Sequence, residues 1–433
     1  MLLTGTVVAD STTVVEAGGV VVEGDRIAAV GEASELREAY PDHERRSFDL
    51  LVPGIVGGHV HSVQSLGRGI ADDAALLDWL YEAVLPMEAA LDADAMRAAA
   101  ELGYLELLES GVTTAVDHLS VAHAEEAFEA AIDLGIRGRL GKVLMDADVP
   151  EGLREGTQAA LDDSERLLRR YHGAADGRIR YALTPRFAVT CTEACLRGVR
   201  DLADRYEGVR IHTHASENRD EIEAVEAETG MRNVHWLDEV GLTGEDVILA
   251  HCVWTDESER RVLAETGTRV VHCPSSNMKL ASGVAPVADY LDRGIDVALG
   301  NDGPPCNNTL DPFTEMRQAS LLQKVDALDP TATPAGRIFE MATENGAKAA
   351  GFDDVGRLAP GWKADVVGLS TDLTRATPLH DVLSHLVFSA HGDDVTFTMV
   401  DGEVCYDRGE LVTGDADAIR RRARDHAARL DLT

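Results

Sequence analysis

The sequence predicts an α/β fold: a closed (β/α)8 barrel over residues 55–355, with a small β-sandwich domain built from both chain ends, 1–54 and 356–433. Three observations lead there. From about residue 55 to 355, short apolar strand-like runs alternate with helical stretches of ten or more residues. Repeated βα units call for a parallel sheet, and about 300 residues of them suit closure into a barrel. Before and after that stretch the pattern is of short strands and turns, so the two termini are expected to build one β domain together. With 433 residues, 45% of them hydrophobic, the chain is long enough for one large core and a smaller one.

Taken in order, the N-terminal stretch has Gly18-Gly19 before Val20-Val21-Val22, then Asp25 to Gly31, and alternation with glycine punctuation favours β structure. The barrel stretch has strand-like runs at Gly111–Val116, Ile179–Leu183, Val209–His214, Val247–His251, Arg269–His272 and Asp296–Gly300. Amphipathic stretches such as Asp94–Glu109, Glu125–Leu134 and Thr192–Tyr206 lie between them. The strand pattern returns at Lys363–Leu369 and Val395–Val400, and Asp401-Gly402 reads as a hairpin turn before Glu403–Tyr406. There is no internal repeat and no low-complexity segment.

The net charge is −36, from 76 acidic and 40 basic residues, and only five of the basic residues are lysines. Such a polyanionic surface argues against nucleic acid or an anionic membrane as partner. The acids are scattered through the chain, a surface that suits solubility at high salt, and a halophilic source is expected. No apolar run reaches the roughly 20 residues needed to span a bilayer. Met1 to Gly5 shows no basic segment followed by an apolar one, so no signal peptide is read and a cytoplasmic location is expected. The six cysteines form no CxxC pair and are expected to be reduced and mostly buried.

The strongest local signal is Pro53-Gly54-Ile55-Val56-Gly57-Gly58-His59-Val60-His61. On a strand, residues i and i+2 point to the same side, so both imidazoles can converge on one ion. Three later strands end in His214, His251 and Asp302, and catalytic side chains of such barrels sit at the C-terminal ends of the strands. Neutral imidazoles with a carboxylate suit Zn²⁺, Fe²⁺ or Mn²⁺. The fourth strand runs into Leu183-Thr184-Pro185 and offers no lysine, the residue that bridges a second metal in related sites, so one divalent ion is expected, zinc first and iron or manganese as alternatives. Such an ion acidifies a coordinated water and makes it a nucleophile. Glu217, three residues past His214, can serve as acid/base toward a ring nitrogen and the leaving amine; its bland alternative is a helix-start carboxylate, the role assigned here to Asp220 and Glu221. Asp302 can bind the metal and also take the proton of the attacking water, and His251 can orient that water or the substrate. Arg186 offers a planar fork of donors, Trp79 a stacking face, and Gln64 and Asn277 can each pair with a ring edge; the alternatives are a surface salt bridge, a core indole and loop hydrogen bonds.

These residues resemble the amidohydrolase superfamily, and within it the branch of purine and triazine aminohydrolases, over essentially the whole chain. The similarity is carried by the opening motif ending His59-Val60-His61, by Gly69–Asp73 with Leu77–Leu80, by His214-Ala215-Ser216-Glu217, by His272–Asn277 with Leu280–Gly283, by Gly300-Asn301-Asp302-Gly303, and by Gly356–Gly361 with Ala364-Asp365. The resemblance implies a TIM-type barrel and metal ligands His59, His61, His214 and Asp302, with His251 at the substrate or water. It also implies a small heterocyclic substrate, and a homo-oligomer fits the superfamily. Thr184-Pro185-Arg186-Phe187 resembles guanine deaminases, where the Arg-Phe pair meets the purine. Asp302-Gly303-Pro304-Pro305-Cys306 is closer to adenosine-type and triazine-type enzymes. The expected activity is hydrolytic deamination of an aminated purine or adenosine derivative, of the 5′-deoxyadenosine, S-adenosylhomocysteine or guanine kind. Triazine dechlorination or deamination and cyclic amide hydrolysis are the alternatives, and a metal-free scaffold relative is the remote one.

Overall fold

The computed structural model describes residues 1–147 and 149–430. Eight strands run parallel in chain order: Ile55–Val60, Val112–His118, Arg137–Gly141, Ile179–Pro185, Arg210–Ala215, Val247–His251, Arg269–His272 and Val297–Leu299. The outer two meet across a parallel bridge between Val60 and Asp302, where the Asp302 N–H donates to the His59 carbonyl at 3.0 Å. Two glycines of the sequence motifs make that seam possible. A Cβ on Gly58 would stand 2.8 Å from the Leu299 carbonyl oxygen, and one on Gly300 would stand 2.8 Å from the His59 carbonyl oxygen. Either distance is inside van der Waals contact, so only glycine lets strands one and eight close.

The helices between strands lean on the sheet by their apolar faces. Ala93–Glu109 starts at Asp92, whose carboxylate accepts from the Ala95 N–H, and buries Met96, Ala99, Tyr104 and Leu108. Glu257–Thr266 starts at a reciprocal capping box between Asp256 and Glu259.

The chain ends form a second, mixed sheet of eight strands. Arg45–Pro53 is its hinge in sequence: it pairs parallel with Leu2–Val8 and antiparallel with Val366–Leu369, which joins the two ends. Leu3, Val20, Leu51, Val366, Phe397 and Met399 share a core separate from that of the barrel. Asp401 and Gly402 both have positive φ (+50° and +77°), the type I′ pattern expected of that turn. Two stretches after residue 356 are helical rather than β. Val382–Phe388 buries Leu386 and Val387, and Ala416–Ala427 buries Ile419 and Ala423, all in the barrel's own core. Sheet and barrel are tied by a buried ion pair, Arg137 Nη2 to Asp365 Oδ1 at 2.9 Å and Nε to Oδ2 at 3.0 Å. Among the described residues no helix is long and apolar enough to cross a membrane.

Candidate metal-dependent active site

All four expected ligands lie at the C-terminal end of the barrel. His59 is the fifth residue of strand one and His61 follows its end; His214 is the fifth residue of strand five; Asp302 lies three residues past strand eight. His251 closes strand six. The chain turns sharply there: Ser216, His251 and Asp302 have φ of +53°, +72° and +62°. Left-handed backbone at non-glycine residues is costly, and it clusters at sites where it aims side chains.

The ligand atoms of His59, His61, His214 and Asp302 all lie within 4.8 Å of one another. His61 Nε2 is 3.3 Å from His214 Nε2, His59 Nε2 is 3.3 Å from Asp302 Oδ1, and His61 Nε2 is 3.4 Å from the same oxygen. A tetrahedron with arms of roughly 2.0–2.1 Å has edges of about 3.3–3.4 Å. The other ring nitrogens fix the tautomers. His61 Nδ1 donates to the His118 carbonyl at 2.7 Å and His214 Nδ1 to the Arg186 carbonyl at 2.6 Å, so both Nε2 lone pairs face inward. His59 Nδ1 meets His212 Nε2 at 2.9 Å, while its buried Nε2 has no hydrogen-bond partner. Lone pairs opposed across 3.3 Å, with an orphaned Nε2 beside a carboxylate, fit a cation at their centre. Burial first, then neighbouring His59, pushes His61 and His214 well below the usual imidazole range, which keeps them neutral. Burial resists ionisation of Asp302, but His59, His251 and His61 outweigh it and hold the carboxyl well below its ordinary value. Ser276 Oγ donates to Asp302 Oδ2 at 2.7 Å, and the Gly303 N–H donates to Oδ1 at 2.8 Å.

Glu217 and His251 complete the centre. His251 Nε2 is 3.6 Å from Glu217 Oε2 and 3.7 Å from Asp302 Oδ2, and its Nδ1 is paired with Asn277 Oδ1 at 2.9 Å. Burial, then the carboxylates of Asp302 and Glu221, pushes the Glu217 carboxyl well above its ordinary value. A divalent cation beside Asp302 acts in the opposite sense. Glu221 is not the solvent-facing helix-start carboxylate expected of it. It is fully buried, accepts from the Glu217 N–H at 2.6 Å and from the Asn233 amide, and so braces the Glu217 main chain. Asp220 is exposed at the first turn, as expected.

A cavity opens over this centre. Of the expected substrate contacts, Trp79, Arg186, Phe187 and His251 line it, and Leu76 and Leu80 complete an apolar roof. The roof helix contains a π-helical turn at Leu80–Val84, a distortion frequent at functional sites. Trp79 Nε1 is buried there with no hydrogen-bond partner among the described residues. Gln64 and Asn277 stand behind the wall: Asn277 backs His251, and Gln64 Nε2 donates to Glu88 at 2.8 Å. Arg186 is buried rather than at the surface, with Nη1 3.1 Å from both Glu88 oxygens.

Sequence reasoning missed Glu88, His118 and His212. His212 had a readable signal, since His212-Thr213-His214 repeats the i, i+2 spacing of His59 and His61. Glu88 gathers Arg186, Gln64 and Ser120, yet in sequence it is one acid on a helix and carries no signal. Lys142 is buried against Glu155 and Val143, away from the ligand quartet. All six cysteines are buried and unpaired, as expected.

Fold and site together define an α/β-barrel hydrolase with a His/Asp centre of metal-binding type. The chain belongs to the amidohydrolase family, whose profile matches residues 50–405; a shorter match to an imidazolonepropionase-like composite domain covers residues 18–42. It is 41% identical over 432 residues to the 5-methylthioadenosine/S-adenosylhomocysteine deaminase of the Haloarcula marismortui strain, covering 99% of this chain and 98% of that one. It is 42% identical over 431 residues to the 5′-deoxyadenosine deaminase of Methanothermobacter thermautotrophicus, with the same coverage. The crystal structure of an adenosine deaminase from Xanthomonas campestris with bound zinc superimposes with a TM-score of 0.93 at 30% identity, covering 100% of this chain and 98% of that one.

Proposed function

We propose that the protein hydrolytically deaminates an adenosine derivative of the 5′-deoxyadenosine, methylthioadenosine or S-adenosylhomocysteine kind. The observation that carries this is the placing of a buried Glu217, its carboxyl raised above its ordinary value, beside a ligand quartet with three edges of 3.3–3.4 Å, under an aromatic and apolar roof. The relatives named above support the substrate class. In this reading His59, His61, His214 and Asp302 hold one divalent ion, zinc first, with iron or manganese as alternatives, and when bound it supplies Lewis-acid polarisation of a water.

The chain's own groups do the rest. Asp302 Oδ2 and His251 Nε2 face each other at 3.7 Å and form the acceptor pair that positions the water and receives its proton. Asn277 fixes the orientation of His251. Glu217 in its acid form gives its proton to a ring nitrogen next to the amino-bearing carbon, and the two protons of the attacking water then supply the departing amine and restore Glu217. Loss of ammonia needs that proton and loss of chloride does not, so Glu217 favours deamination over dechlorination. Trp79 and Phe187 hold the base by its faces, and the Trp79 N–H and the Arg186 donors not used by Glu88 meet acceptors on the nucleoside. The unpaired thiols accord with a reducing, cytoplasmic setting.

The test is ammonia release from 5′-deoxyadenosine, methylthioadenosine, S-adenosylhomocysteine, adenosine, guanine and an aminotriazine, using zinc-loaded protein in molar KCl. Release from the adenosine derivatives, with guanine and triazine at least about a hundredfold slower, is the expected result; a hundredfold corresponds to about 2.7 kcal/mol of discrimination. Guanine or triazine turned over fastest would overturn the substrate class.

A further inference from the structure

The opposite, N-terminal end of the barrel holds a second feature that the active site does not use. A cleft of about 910 Å³ there is lined by Arg139, Arg180, Arg200, Arg210 and Arg269. Arg180, Arg210 and Arg269 stand at or next to the first residues of strands four, five and seven, so they share the mouth of the barrel away from the metal ligands.

These arginines are unusual in a chain with 76 acids and 40 bases. Arg200 pairs with Asp204 and Asp246, both at 2.7 Å. None of the other four has a carboxylate partner among the described residues. Their partners are neutral: Arg139 donates to the carbonyls of Ala350, Tyr181 and Gly208; Arg180 to that of Gly351; Arg210 to that of Glu245. The Arg180 guanidinium also lies 4.4 Å from the centre of the Phe352 ring. Among the described residues Arg269 has no hydrogen-bond partner, and its Nε and Nη1 are buried. Asp353 and Glu245, the remaining acids of the cleft, are exposed at its rim.

Clustered guanidiniums of one sign repel. Burial first, then Arg269, brings Arg210 down to about 10, and burial with Arg210 and Arg180 lowers Arg139 well below the usual arginine value. A protein with so many carboxylates to spare does not lack acids to place there. Asp246 and Asp353 act on Arg210, and Asp353 and Asp354 on Arg180, without forming an ion pair with either.

We propose that this cleft is a binding site for a tetrahedral oxyanion, inorganic phosphate or the phosphoryl group of a small metabolite, held by Arg180, Arg210 and Arg269. Guanidinium forks match such anions, and their bonds are charge-assisted. The site is separate from the active centre, and its occupancy stabilises the mouth where strands four, five and seven begin.

The test is titration calorimetry of the zinc-loaded protein with inorganic phosphate, and separately with glycerol 3-phosphate, a phosphomonoester without a base that the active centre could take, at ionic strength matched by KCl. One phosphate per chain with saturable heat is expected. Arg269→Gln is expected to weaken binding about tenfold or more, with Arg269→Lys intermediate and deaminase activity unchanged in both. Arg180→Gln reads the same contact should Arg269→Gln not fold. His214→Ala, which disables the metal centre, is expected to leave phosphate binding intact. Glycerol 3-phosphate binding tighter than phosphate would identify a phosphomonoester as the ligand, and the reverse order would identify the free anion. Absence of saturable heat, equal affinity in Arg269→Gln and the parent, or loss of binding in His214→Ala would overturn the proposal.

Discussion

Replacing Glu217 by glutamine isolates proton transfer from everything else at the centre. The two side chains have the same shape. The main chain at 217 is held through its N–H by Glu221 at 2.6 Å, a bond the substitution does not touch. No ligand of the quartet bonds the Glu217 side chain, whose Oε2 stands 3.6 Å from His251 Nε2. Metal content and substrate binding should therefore survive, and the loss should fall on kcat. Removing one positioned acid/base costs about 10²–10⁴ in rate, or about 2.7–5.5 kcal/mol of barrier. The assay is steady-state ammonia release from 5′-deoxyadenosine, alongside metal content by atomic emission. The reasoning predicts one equivalent of metal, KM within about threefold, which is about 0.6 kcal/mol of binding, and kcat down by at least about a hundredfold. A fully metallated variant with kcat within about tenfold of the parent would refute the assignment. A variant that had lost its metal would show instead that Glu217 belongs to the ion's support.

Four further outcomes follow. Because Glu217 must carry a proton and its folded value is raised, kcat/KM should fall as pH rises through that value, and the Glu217→Asp variant should shift this alkaline limb; a profile flat on the alkaline side would contradict it. Chelation, or His214→Ala, should remove the metal and activity together while far-UV circular dichroism stays native, since the quartet is held by barrel strands; unfolding on chelation would make the metal structural. Arg186→Met strands the fully buried Glu88 and should cost about 3–5 kcal/mol of stability, measured by denaturant unfolding, with the double Arg186→Met/Glu88→Leu variant regaining most of it. With a net charge of −36, the melting temperature should climb from low salt to molar KCl, and a melting temperature independent of salt would end the halophilic reading.

How much of this was legible in the sequence follows from where the information sits. The barrel was readable because most of its strands are short apolar runs alternating with helices, and the quartet because each ligand falls at or just past a strand end, where topology alone makes distant residues neighbours. His59 and His61 needed only the two-residue period. Glu88 could not be read. Its neighbours Gln64, Ser120 and Arg186 come from three other segments, and nothing in a single helical glutamate says whether it meets water or a guanidinium. Glu221 failed in the opposite direction. An acid in the first turn of a helix is ordinarily solvated, and only the burial of that turn against Asn233 and Glu217 gives it another task. The helix Ala416–Ala427 escaped because its face is mostly charged and buries just Ile419 and Ala423.

The contest between guanine and adenosine readings turns on what Arg186 has left to give. The Arg186-Phe187 pair resembles that of guanine deaminases, and both residues lie in the cavity wall. But Nη1 of Arg186 is taken by both oxygens of Glu88, so only the rest of the fork faces substrate. A partial fork accepts any ring nitrogen or carbonyl and does not tell a 2-amino from a 6-amino purine. Glu217 does not tell them apart either, since in each base a ring nitrogen adjoins the amino-bearing carbon. Discrimination therefore falls to the groups over the rest of the molecule: the roof from Leu76 to Leu80 and the unpartnered Trp79 N–H. A bare base gives that donor nothing beyond its ring edge, whereas a nucleoside brings hydroxyl and ether oxygens to it. Trp79→Phe keeps the ring face and removes the N–H. It should raise KM for 5′-deoxyadenosine about tenfold while leaving kcat nearly unchanged, and an equal loss on a bare purine would assign Trp79 to the base rather than the sugar.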